Sequence, residues 1–163
     1  LTDVIVTEYN GMWKNGMRDG FGNITYSNND TYSGEWLKDK FYGVGIFKKF
    51  NECTIKSHWK DGFPMGDSVI EFYNGNKYNG YWNGKDQKGK GLFTWKDKTN
   101  FVGDWKMNTK FLTDANGVIT WNSGDSYSGS IVNNLLHGKG IYTWNTNHVY
   151  KGNWNSNKSY INK

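Results

Sequence analysis

Tyr9, Tyr32, Ile55, Tyr78, Phe101, Tyr127 and Tyr150 recur at a step of 23 residues, broken once by a step of 26. A chain with so short a period has to form the same local unit each time and bury each unit against its neighbours. Two positions after each of these residues comes a glycine: Gly11, Gly34, Gly80, Gly103, Gly129 and Gly152, with Ser57 in the third unit. Two further on comes tryptophan: Trp13, Trp36, Trp59, Trp82, Trp105 and Trp154, with Ile131 in the sixth. A second run follows in the fuller units: Gly20/Gly22/Ile24, Gly43/Gly45/Phe47, Gly66/Ser68/Ile70, Gly89/Gly91/Phe93 and Gly138/Gly140/Tyr142.

Alternate residues of a strand share a face. Tyr32, Gly34 and Trp36 therefore point one way, and a hairpin brings Gly43, Gly45 and Phe47 to the same side. Glycine weakens a strand interior, but a ring laid over the bare backbone of its neighbour recovers part of that loss. On this reading the glycines are pockets for the rings. The other face (Ser33, Glu35, Leu37, Val44, Ile46 and Lys48 in the second unit) is mixed, mostly polar and suited to solvent. Stretches rich in Asn, Asp, Lys and Gly supply the turns.

These residues resemble the MORN repeat family, whose motif runs Tyr-x-Gly-x-Trp, a short polar loop, then Gly-x-Gly-x-x-x-Tyr. The resemblance covers nearly everything from Tyr9 to Trp154. It implies an all-β fold, an elongated single-layer antiparallel β-solenoid of stacked hairpins without helices. Residues 1–163 then form one array, with units near 9–31, 32–54, 55–77, 78–100, 101–126 and 127–149 and a partial unit at 150–163. The abrupt start and stop suit a fragment of a longer protein. The third unit departs from the motif at Ile55, Ser57 and Ser68. The fifth departs between Trp105 and Gly117, where a loop is expected to bulge within Lys106 to Asn116.

Catalytic chemistry finds little support. Gly89-Lys90-Gly91 and Gly138-Lys139-Gly140 lack the third glycine and the following helix of a phosphate loop. Cys53 and His58 lie near each other without an oxyanion-hole motif and read as surface residues. Three histidines and one cysteine make neither a zinc site nor a disulfide framework. No enzyme activity, metal or cofactor is expected. A lone cysteine and the lack of a long apolar run or signal-peptide profile point to the cytoplasm, and the resemblance implies a place at a membrane or cytoskeletal periphery.

Two functions of different kinds remain. The first is a scaffold binding a partner polypeptide along an aromatic-lined groove, which is also what the resemblance implies. Its expected anchors are Tyr32, Trp36, Phe47, Tyr78, Trp82, Phe93, Trp95, Phe101 and Trp105, with about half of them serving stability alone. A single sheet has no second layer to bury so many rings, so each should keep part of its surface open. The alternative is attachment to anionic phospholipid such as phosphoinositide, through Lys85, Lys88 and Lys90. It fits a net charge of +5. Nucleic acid is not an expected partner, because the charge is dispersed and interleaved with acids. Self-association through the terminal repeats and capping of the last edge by the polar tail stand as equal expectations.

Overall fold

The computed structural model describes residues 3–85, 88–106 and 114–159. No helix occurs among them. The strands are β1 (Val6–Lys14), β2 (Met17–Tyr26), β3 (Thr31–Leu37), β4 (Lys40–Lys49), β5 (Cys53–Lys60), β6 (Phe63–Phe72), β7 (Lys77–Asn83), β8 (Lys88–Thr94), β9 (Asn100–Lys106), β10 (Asp114–Thr120), β11 (Ser126–Val132), β12 (Leu135–Thr143), β13 (Val149–Asn155) and β14 (Lys158–Ser159). Contacts divide the chain into two compact units, Leu1–Asp86 and Gln87–Lys163. In the first, each strand from β1 to β7 pairs antiparallel with the next. The second repeats that order from β8 to β14. Residues 107–113, the heart of the long loop expected in the fifth unit, lie outside the described residues.

Backbone chemistry fixes the hairpins. Asn15-Gly16, Lys38-Asp39, Asp61-Gly62, Asn133-Asn134 and Ser156-Asn157 are two-residue loops with φ between +49° and +87° at both positions. That is the type I′ geometry, whose twist matches the strands it joins. Between units the chain turns differently. Tyr26 N donates to Asp30 O and Asn29 N to Tyr26 O, both at 2.9 Å, and the same pair of bonds recurs at Trp121–Asp125 and Trp144–His148.

The two glycines of each Gly-x-Gly run differ in role, which corrects the expectation that both are ring pockets. Gly45 is such a pocket: a Cβ there would fall within the Tyr32 ring. Gly43 instead sits in a bulge of β4 at φ +54°, a conformation disfavoured for other residues. The Glu35 carboxylate fills the bulge, accepting a bond from Val44 N at 3.0 Å.

Candidate functional site

The rings pack as a ladder on one side of each unit. In the first, Tyr9, Ile24, Tyr32, Phe47, Ile55, Ile70 and Tyr78 are cross-strand neighbours in turn. In the second the row runs Phe93, Phe101, Ile119, Tyr127, Tyr142, Tyr150. Each motif tyrosine reaches back to its own strand: Tyr9, Tyr32, Tyr78 and Tyr127 donate to the carbonyls of Met12, Glu35, Tyr81 and Ser130 at 2.5–3.0 Å. Trp36 and Trp59 donate from Nε1 to Gly22 O and Gly45 O, at 3.1 and 3.0 Å. These bonds stitch one repeat to the preceding one.

Of the expected anchors, Tyr32, Trp36, Tyr78, Trp82, Phe93 and Phe101 are only 0–4 % exposed. Phe47 and Trp95 are half-buried, and the side chain of Trp105 lies outside the description. The expectation that every ring keeps open surface therefore fails for most of the set. For Tyr32 and Trp36 the reason is the residue just after the hairpin turn, which folds back as a partial second layer. Phe41 stacks on Tyr32 with centroids 3.8 Å apart and meets Trp36 and Trp59 edge-on at 4.9 and 5.4 Å. In the first repeat Arg18 takes that place, 4.5 Å from the Trp36 ring and tied to Asp39 at 2.8 Å. Phe41 follows a Lys-Asp turn outside the motif's ring positions, so periodicity did not single it out. Burial also raises the Tyr32 hydroxyl pKa well above its ordinary value, with the Glu35 charge adding to it.

Cys53 is also corrected. It is 1 % exposed rather than on the surface, and burial, helped by the Glu52 charge, pushes its thiol up to about 11. A thiol held protonated in this way is a poor nucleophile. His58 pairs across the sheet with Val44 and Met65, whereas Cys53 pairs with Lys49 and Phe72. Among the described residues no group of three or more metal-ligating side chains occurs.

Trp13, Phe21, Tyr42 and Tyr81 are exposed within their strands, and a further aromatic row lies one step beyond the strands. In the second unit Thr94, Asn100, Thr120, Ser126 and Thr143 form one cross-strand row. Trp95, Trp121 and Trp144 each follow a member of that row, on the side of Phe93, Ile119 and Tyr142. Trp95 and Trp121 are half-buried, and Trp144 is 42 % exposed. Equivalent turn bonds hold all three: Trp95 N to Thr99 O, Trp121 N to Asp125 O and Trp144 N to His148 O, each 2.9 Å. Tyr142 stands between two indoles, 5.5 Å from Trp121 and 4.8 Å from Trp144. Its hydroxyl donates to Asp125 Oδ2 at 2.8 Å, and burial together with that bond and charge pushes its pKa up to about 12. Beside these rings lies a cleft of 400 Å3 lined by Asp97, Thr99, Trp121, Asn122, Ser123, Asp125 and Tyr142.

The opposite face of the second unit is more apolar than its sequence suggests. Leu92, Val102 and Val118 are cross-strand neighbours, followed by Ser128 and Ile141, and all four aliphatic residues are exposed. A shallow depression of 440 Å3 on the same face is lined by Asn116, Ser128, Lys139, Ile141, Lys151 and Asn153, with Gly129, Gly140 and Gly152. Exposed Lys88 and Lys90 lie on that face, Lys90 opposite Asp104; Lys85 is exposed in the first unit.

Among the described residues no helix is long and apolar enough to cross a membrane. No curated protein matches the chain significantly. The MORN repeat matches at residues 9–31, 32–54, 78–99 and 127–149. The two intervening units left unmatched are those with the serine pair and the longer loop. Those four stretches cover more than half of the sequence, and the chain belongs to the MORN repeat family.

Proposed function

We propose that this chain is a non-catalytic scaffold that binds a partner polypeptide on its aromatic side, through the rings left accessible at the strand ends. MORN repeats are a non-enzymatic repeat type that mediates protein and membrane interactions. The observation that carries the reading is the row Trp95, Trp121 and Trp144, held by matching turns and partly exposed, while Tyr32, Trp36, Tyr78, Trp82, Phe93 and Phe101 are buried. Aromatic residues that are rigid and partly exposed are the usual anchors of interfaces. Phe47 and Trp95 are the members of the expected anchor set that offer a partner ring surface. Tyr32, Trp36, Tyr78, Trp82, Phe93 and Phe101 act beneath them as the framework.

The test is selection of displayed peptides on the folded protein, followed by Trp95→Ala, Trp121→Ala and Lys88→Glu/Lys90→Glu. Folding of each variant is checked by hydrogen exchange. The reading requires at least tenfold weaker binding in an indole variant and little change in the charge variant. Unchanged binding in both folded indole variants overturns it.

One observation favours the second reading, contact with an anionic lipid surface. On the opposite face Lys88, Lys90, Lys139 and Lys151 accompany the exposed aliphatic row. Basic side chains beside apolar ones suit an anionic interface. In the first unit the outward Lys56 and Lys77 share the Glu71 carboxylate, at 3.0 and 3.3 Å, which offsets part of their charge. Flotation with phosphatidylserine vesicles, abolished by Lys88→Glu/Lys90→Glu, is the outcome this reading demands.

A further inference from the structure

The spacing of the indole row selects the conformation of its ligand, and we propose that it takes a proline-rich segment in the polyproline II conformation with a basic side chain in the adjoining cleft. The inference rests on partner binding by the aromatic side and names the partner's chemistry. Trp95, Trp121 and Trp144 extend β8, β10 and β12, one residue beyond the same cross-strand row, so the backbone positions that carry successive indoles are two strand spacings apart. Two spacings amount to about 9.6 Å. A polyproline II helix advances about 3.1 Å per residue and repeats every third, giving about 9.3 Å. Across three indoles the mismatch is therefore only about 0.6 Å. A peptide lying across the strands can thus place every third residue over an indole. An extended strand reaches about 6.6 Å at every second residue, and a helix advances about 5.4 Å per turn; neither matches the row.

Flat rings suit proline for a second reason. The rigid pyrrolidine buries apolar surface without much loss of conformational freedom, and indole grooves use this in other proline-binding modules. Tyr142 forms the floor between two of the indoles. Charge specifies the rest of the ligand. The cleft's charged lining consists of two carboxylates, Asp97 and Asp125, beside the faces of Trp121 and Tyr142. A guanidinium or ammonium group there meets both a carboxylate and a ring face. Asp125 accepts from Tyr142 on one oxygen and from Asn145 N on the other, at 2.8 and 2.9 Å, whereas Asp97 accepts from Thr99 N on Oδ1 alone, at 2.9 Å, so Asp97 is the carboxylate best placed to set charge preference.

The test titrates the whole chain with four synthetic peptides by calorimetry. One carries prolines at every third position and one arginine; the second replaces that arginine by alanine; the third inserts one residue between the proline pairs, shifting the period. The fourth is a proline-free amphipathic peptide of equal length and charge. The proposal expects the first to bind best, the third to lose at least tenfold, and Trp121→Ala or Trp144→Ala to lose at least fivefold. Asp97→Asn should weaken the arginine peptide three- to tenfold and leave the alanine peptide unchanged. Equal binding of the first and third peptides overturns the proposal. Stronger binding of the proline-free peptide that still depends on Trp121 also overturns it, while leaving partner binding by the aromatic side intact. Peptide binding indifferent to every indole overturns both. Hydrogen exchange of each variant confirms that lost binding is not lost fold.

Discussion

Ser57 and Ser68 occupy the places where other repeats carry glycine, and Ile55 the place of the motif tyrosine. The three departures are one device. Around Tyr9, Tyr32 and Tyr127 the ring covers the glycine pair and its hydroxyl bonds to the carbonyl three residues on. Here the two serines are buried and bonded to each other at 2.6 Å, and Ser57 Oγ donates to His58 O at 2.8 Å. His58 stands three residues after Ile55, so a serine hydroxyl replaces the missing phenol at the same carbonyl. Ile55→Tyr alone forces a ring against two side chains and should cost about 1–3 kcal/mol. Ile55→Tyr with Ser57→Gly and Ser68→Gly should return to within about 1 kcal/mol of the parent, a coupling read from urea midpoints. Cys53 supplies a pH prediction. Its folded pKa of about 11 lies above the ordinary 9.0, so the folded state holds the proton more tightly. That contribution is complete below pH 9 and lost as the pH rises from 9 to 11. A two-unit shift corresponds to roughly 3 kcal/mol. In Cys53→Ala the decline across that window should be absent, leaving the loss from tyrosines that begins above about pH 10.

At the scale of the element, hairpin loops and sheet edges carry the testable consequences. Lys38 adopts φ +49° in a loop position that favours asparagine or glycine. Lys38→Asn should stabilise the fold by about 0.5 kcal/mol, seen as a higher urea midpoint. Asp39 is less replaceable, because its carboxylate receives both Arg18 N and Arg18 Nε, at 2.9 and 2.8 Å. At the last edge the chain after Trp154 turns through Ser156-Asn157 and pairs with β13 as β14, placing Ser159 opposite Trp154. Asn157 clamps this return, its Oδ1 accepting from Leu136 N at 2.8 Å. Pairing with β14 covers the outer edge of β13 at Trp154 and Asn155. Truncation after Asn155 should therefore produce concentration-dependent association in sedimentation, where the full chain sediments with the lower association constant.

For the molecule as a whole, the two faces of the second unit make opposite demands on salt. Binding at the indole row as proposed is chiefly apolar, so that of the arginine-free peptide should change by no more than about threefold between 50 and 500 mM salt. Attachment through Lys88, Lys90, Lys139 and Lys151 should fall more than tenfold over the same range. A vesicle flotation and a peptide titration on one preparation separate them. Either result leaves the non-enzymatic character of the repeats untouched.

Sequence alone determined the hairpin array, because a 23-residue period with alternating rings and glycines permits no helix and few other registers. It also determined which side holds the rings. It did not determine how much of each ring stays open, since that depends on Phe41 and Arg18 closing over Tyr32 and Trp36 after the chain reverses. Nor does local spacing reveal that Ser57 and Ser68 bond to each other; the sheet brings together residues 11 positions apart. The indole row was legible only as scattered tryptophans. The cross-strand pairings of β8 through β12 put them in line at about 9.6 Å, because register is a property of paired strands and not of any one of them.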